Sequence, residues 1–144
     1  RAMIQRVMEA GVTVDGNVVG SIGRGFLIFL GVGQGDSESS AQILAKRSAH
    51  LRVFPDSANK MNISLKDVQG EALVVSLFTL YADTNKGHRP AFTYAAPPDI
   101  AEKLYLKYVE ELKKEGIRTE TGRFAAHMMV TLVNDGPVTI LLET

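Results

Sequence analysis

Short apolar runs broken by turns fill the first third of the chain. Met3–Val7 and Val12–Val14 read as strand, the Asp15-Gly16-Asn17 turn follows, and Val18, Val19 and Ile22 continue beyond it. Asp-Gly between short apolar stretches is a hairpin signal, because both residues tolerate the backbone of a tight turn. Gly25–Val32 (GFLIFLGV) is bounded by glycines and rich in branched and aromatic residues, so it predicts a buried strand. Gly33–Ser37 then breaks the chain and opens a helix. Ser39 with Gln42 three residues later fits a capping box, and Ala41, Leu44, Ala45 and Ser48 line one face. Leu51–Phe54 predicts a short strand ended by Pro55, and Leu73–Tyr81 (LVVSLFTLY) a longer one. The clearest helix follows Pro97-Pro98, with Asp99 as N-cap. Ala101, Leu104, Tyr105, Tyr108, Val109 and Leu112 form its apolar stripe, and Gly116 closes it. Met128–Val133 and Val138–Leu142 predict two last strands around Asn134-Asp135-Gly136-Pro137. The pattern predicts an α+β fold: one domain over residues 1–144, mainly an antiparallel, partly closed β-barrel, with two covering helices.

A chain of 144 residues with 45% hydrophobic and 22% charged positions is an ordinary globular composition. No apolar run approaches the roughly 20 residues that cross a bilayer, and Arg1–Val7 lacks the apolar stretch of a signal peptide. There is no cysteine, which removes disulfides, thiol nucleophiles and cysteine metal sites. These features predict a cytoplasmic protein. Sixteen basic residues balance sixteen acidic ones. That balance argues against wrapping nucleic acid along a basic stripe, but permits holding one RNA end through a few local cations.

Most candidate motifs fail on spacing. Gly31-Val-Gly-Gln-Gly35 sits between strand and helix, yet it is not G-x-G-x-x-G and no βαβ unit with a terminal acid follows, so it reads as a turn. His50, His88 and His127 are scattered, with no pair at metal-ligand spacing, so neither a metal nor another cofactor is expected. His50 reads as structural, and His127 could face either way along its strand. G-x-S-x-G is absent, so Ser76 has no nucleophile elbow. Two segments stand out: Ser76–Asp83 with Lys86–Pro90, and Asn134–Thr139. An Asp-Gly turn is ordinary, but Pro137 cannot donate to a ladder. A Gly-Pro bond also reaches cis at a cost of only about 0.5–1 kcal/mol. The segment reads as something presented, not merely turned.

Together these landmarks resemble the D-aminoacyl-tRNA deacylases, also called D-Tyr-tRNA deacylases. The resemblance runs from Ile4-Gln-Arg-Val7 and Val18–Ile22 through Gly25–Gly31, Lys60–Ser64, Ser76–Asp83, Lys86–Pro90 and Ala95–Pro98. It ends with Thr121–Phe124 and Asn134–Thr139. Arg1 resembles the family's second residue, which implies a preceding initiator methionine. The resemblance implies a homodimer with two active sites at the interface. Ser76, Phe78 and Thr79 of one subunit would form the catalytic pocket, supported by Leu77, Phe124, Met129 and Asn134. Into it the partner would insert Gly136-Pro137, held cis with both carbonyl oxygens on one side, filling the volume an L side chain needs. The implied substrate is the 3′ acceptor end of a D-aminoacyl-tRNA, with Gly-tRNA mischarged on tRNA-Ala also accepted.

The implied reaction is attack of water on the ester, assisted by the ribose 2′-OH. Backbone N–H groups of Phe78 and Thr79 are the candidate donors to the developing oxyanion. Thr79 lacks the base that a hydroxyl nucleophile needs. Lys86, His88 and Arg89 are candidate tRNA contacts, with a solvated loop as the equal alternative. The family usually has glutamine where this chain has Leu77. In a continuous strand residues 76 and 78 would face one way and Leu77 the other, packing behind the pocket. A non-enzymatic nucleic-acid-binding module on the same fold is the alternative reading, with a deacylase specialised for another mischarged residue as a further one.

Overall fold

The computed structural model describes residues 1–144 and folds them into a curled six-stranded sheet, a small separate hairpin and two helices. β1 (Ala2–Val14) is one long strand, not two pieces. One edge pairs antiparallel with β8 (Met129–Leu142) along most of its length. Its other edge is shared by β3 (Gly25–Leu30), which pairs with Ala2–Val7, and β2 (Asn17–Ile22), which pairs with Ala10–Val14. β6 (Glu71–Ser76) adds parallel to β3, and β7 (Thr119–Thr121) parallel to β6. The barrel is therefore mixed: antiparallel around β1, parallel beyond β3.

The sheet curls until β2 nears β7. A Cβ added to Gly20 would lie 2.4 Å from the Thr121 carbonyl oxygen, so glycine permits this near-closure. β4 (Arg52–Pro55) and β5 (Met61–Ser64) form the separate hairpin.

Burial on both faces explains the unbroken apolar runs. Phe26, Ile28 and Leu30 of β3, with Ala72 and Val74 of β6, pack toward the helices; Leu27 and Phe29, with Leu73 and Val75, point into the barrel. Parity changes within β1. Ala2 and Ile4 serve the helix-side core, while Val7, Ala10, Val12 and Val14 serve the barrel interior. The switch coincides with register shifts against β8 around Val7, as an inserted bulge requires.

α1 (Glu38–His50) and α2 (Pro98–Lys114) lie against one another over this sheet. The α1 cap is Ser37, not Ser39. Ser37 is extended, its hydroxyl accepts from the Ser40 amide at 3.3 Å, and the Ser40 hydroxyl accepts from the Ser37 amide at 3.1 Å. α2 starts one residue before the expected cap, because Pro98 arrives with a helical φ. Asp99 lies instead in the first turn, where its charge suits the helix dipole. The Tyr105 hydroxyl donates to the Val74 carbonyl at 2.9 Å, and burial pushes its pKa up to about 12. The expected strands over 73–81 and around 134–137 both differ from what forms, and both differences fall at the candidate site.

Candidate active site

The run from Leu73 does not stay extended to Tyr81. β6 ends at Ser76, Leu77 donates its amide to the Leu30 carbonyl at 2.9 Å, and Phe78–Tyr81 wind into a 3₁₀ turn. β-propensity is overridden because β3 stops at Leu30, leaving no ladder partner further on. Strand alternation therefore does not carry through Leu77, which is half-buried at the cap of the turn. Phe78 is 57% exposed and meets Phe92 edge-to-face at 4.9 Å, and Thr79 is exposed beside it. The amides of Phe78 and Thr79 open the turn, where the first N–H groups have no acceptor inside it. The turn is fastened from Arg1, whose guanidinium donates to the Leu80 carbonyl at 3.0 Å and lies over the Tyr81 ring. Two backbone bonds between Asp83 and Ala91 then close a loop carrying exposed Lys86, His88 and Arg89.

The second half is a tip on β8. Pairing jumps from Gln5–Thr139 to Val7–Asn134, so residues 135–138 stand out of the ladder opposite Arg6. The backbone is otherwise extended from Met129 to Leu142 as one strand, in place of two strands flanking a turn. The Gly136–Pro137 peptide is cis. Gly136 has φ +154, and a Cβ there would fall 2.6 Å from the Val138 nitrogen, so only glycine fits.

Asn134 closes the base of the tip. Its Oδ1 accepts from the Val138 amide at 2.8 Å, and its Nδ2 donates to the Val138 carbonyl at 3.0 Å and toward Gln5 Oε1 at 3.3 Å. Its side chain thus replaces the missing ladder bonds. Arg6 holds the tip from beneath. It is 9% exposed, donates Nε to the Asp135 carbonyl at 2.8 Å and Nη1 to the Val53 carbonyl at 2.5 Å, and pairs with the Asp135 carboxylate at 3.5 Å. Sequence reasoning missed this role. The available signal was a lone arginine at an inward position of an apolar strand, in step with Ala2 and Ile4.

The remaining candidates scatter. Phe124 packs on Tyr105 at 6.0 Å, on the helix side of the sheet. Met129 is 62% exposed and pairs with Thr13, at the far end of β1 from Ser76. His127 is exposed, and His50 binds Glu115 at 3.0 Å at the helix ends. No three His, Asp or Glu side chains converge on a common point. Four depressions of the surface are lined by neither Phe78 nor Thr79.

A turn that offers free amides and a braced backbone tip are thus carried by a curled sheet under a two-helix layer. Residues 3–143 match the family described as D-Tyr-tRNA(Tyr) deacylase. Over all 144 residues the chain is 60% identical to the D-aminoacyl-tRNA deacylase of Roseiflexus castenholzii, covering 92% of that protein. It is 55% identical to that of Thermotoga petrophila, covering 97% of it and all of this chain. Among solved structures, one named c-Myc DNA Unwinding Element Binding Protein superposes with TM-score 0.93 at 40% identity, over 99% of this chain and 97% of that one. A probable eukaryotic D-amino acid tRNA deacylase superposes with TM-score 0.86 at 15% identity, over 99% and 98%, which speaks for the fold alone. The chain belongs to the D-Tyr-tRNA deacylase family.

Proposed function

We propose that this protein hydrolyses the ester between a D-amino acid and the 3′-terminal adenosine of tRNA, in a homodimer whose active sites each combine two subunits. The observation that carries this reading is the separation of the two half-sites within one chain. Ser76 is in register with Leu30, and Leu30 with Ala2, whereas the tip stands opposite Arg6. Four residues along β1 amount to roughly 13 Å, and the three strand spacings from β6 to β8 to about 14 Å. The free amides and the tip therefore serve different places on one subunit. A twofold axis would place the tip of each subunit at the turn of the other.

In that arrangement the tip fills the space beside the substrate's α-carbon. An L side chain is excluded by rigid backbone, a D side chain points away, and glycine has nothing to exclude. The Phe78 and Thr79 amides would receive the carbonyl oxygen as it becomes negative. Water adds to the ester carbon, its proton leaves by way of the ribose 2′-OH, and the 3′ oxygen departs with a proton as tRNA. Thr79 makes no side-chain hydrogen bond to a base, which supports water over a hydroxyl nucleophile. The names borne by the Roseiflexus and Thermotoga relatives support the substrate class.

The neighbour named for a DNA element favours a second reading, a nucleic-acid-binding protein without hydrolysis. A paired assay separates the two. Metal-free protein is expected to release D-tyrosine from D-Tyr-tRNA and glycine from Gly-tRNA, leaving L-Tyr-tRNA largely intact. Equal loss of both tyrosyl enantiomers would end the exclusion idea, and no loss of either would leave the binding reading. Thr79→Ala is expected to retain appreciable turnover; a trapped acyl-enzyme in the unmodified protein would restore Thr79 as nucleophile.

A further inference from the structure

We infer that the β4–β5 hairpin is a second RNA-binding surface, meeting phosphates of the acceptor stem bound at the neighbouring subunit's active site. This rests on the reading above for its trans placement. Arg6 joins the hairpin to the tip, since one guanidinium donates both to Val53 of β4 and to Asp135. Where the tip goes, the hairpin follows. The turn after β4 begins three residues past Val53, about 10 Å outward at strand rise. The paired stem of a tRNA likewise starts several nucleotides from its esterified end, so cations for stem phosphates belong off the pocket, not in it.

The hairpin carries cations without carboxylate partners. Arg52 donates only to Asn62, through the main-chain carbonyl at 2.9 Å and the side-chain oxygen. Lys60 is exposed in the connecting turn and enters no ion pair. Beside the hairpin, Arg24 of the β2–β3 turn stacks its guanidinium 5.0 Å over the ring of Phe54. Asp56 is the opposing charge, but its carboxylate accepts from the Ala58 and Lys60 amides and from Asn62, so it is committed to shaping the turn. On α2, by contrast, Lys103, Lys107 and Lys114 each face glutamates. Uncompensated cations on a surface braced to the tip, in a chain of zero net charge, are what local phosphate contacts require.

The test uses the full-length dimer, uncharged tRNA for binding, and two substrates: D-Tyr-tRNA and a D-tyrosyl ester of adenosine, which has no stem. Lys60→Glu is expected to weaken tRNA binding about fivefold and to reduce the slope of log Kd against log salt by about one. Adding Arg52→Gln should roughly double that change in slope. Turnover of D-Tyr-tRNA should fall by the same factor in kcat/KM, with the adenosine ester unaffected. Lys113→Glu, the same charge change at the end of α2, should alter none of these. Unchanged tRNA binding in Lys60→Glu, or equal losses on both substrates, overturns the inference.

If the unmodified protein hydrolyses neither substrate, the deacylase reading fails, while the salt slope still decides whether the hairpin binds RNA. Mixed dimers test the trans placement. Lys60→Glu combined with Gly136→Val in one subunit should leave the surviving site normal toward tRNA, whereas the two changes in opposite subunits should impair it. The reverse pattern would place the hairpin beside its own subunit's pocket.

Discussion

Arg6 joins three parts of the structure through one side chain. Its fork spans the carbonyls of Asp135 and Val53 from a nearly buried position, a geometry that a single ammonium cannot reproduce. Arg6→Lys is therefore expected to fold but lose about 2 kcal/mol of stability, the scale of one charge-assisted bond left unmade. Its D-over-L discrimination should fall further than its turnover of D-Tyr-tRNA, because the tip loosens before the Phe78 and Thr79 amides move. Calorimetry and the paired ester assay check the two parts. Gly136 was recognisable in the sequence as half of a Gly-Pro pair. That no Cβ fits there depends on how close Val138 approaches, which no local pattern reports.

Between the helices, two polar contacts have opposite characters. The Tyr108 hydroxyl is fully buried and donates to Ser48 at 2.7 Å, while Ser48 donates to the Leu44 carbonyl at 2.8 Å. Burial raises the Tyr108 pKa well above that of a free phenol, so this bond has no titration in the physiological range. Tyr108→Phe removes one neutral bond and should cost about 0.5–1.5 kcal/mol in chemical denaturation.

Glu115 is the contrasting case, at the end of α2. Hydrogen bonding to His50, then the nearby Lys66, lowers its carboxyl pKa below the ordinary glutamate value. A carboxyl depressed on folding stabilises the protein above its unfolded pKa, about 4.3, and that contribution disappears as pH falls through the folded value. Melting temperature should thus drop between about pH 5 and pH 3. Glu115→Gln should start lower and show a shallower drop; an unchanged slope would mean Glu115 is not part of the acid response. The element pattern itself was well marked in sequence: the α2 stripe of Leu104, Tyr105, Tyr108, Val109 and Leu112 is the set that is buried. β5 and β7 escaped notice because strands of three or four residues carry almost no periodicity.

At the scale of the whole molecule, activity should depend on association. Dilution of the protein below its dimer dissociation constant is expected to abolish deacylation while far-ultraviolet circular dichroism stays native. Activity per subunit that is constant across that range would mean each chain builds a complete site. Met129 and Val133, exposed apolar positions on β8, lie on the same strand as the tip.

What the sequence determined on its own was the set of elements with strong period and the presence of two unusual segments, because apolar spacing and Gly-Pro chemistry are local properties of a chain. It also carried the family likeness, through landmarks in order along almost the whole length. The tertiary structure alone decided that the run through Phe78 turns instead of extending, that β1 changes faces at Val7, and that Arg6 braces Asp135 and Val53. Each depends on where a neighbouring strand stops or on which residues meet across 47 or 129 positions of sequence. Such encounters follow from packing, and no window along the chain contains them.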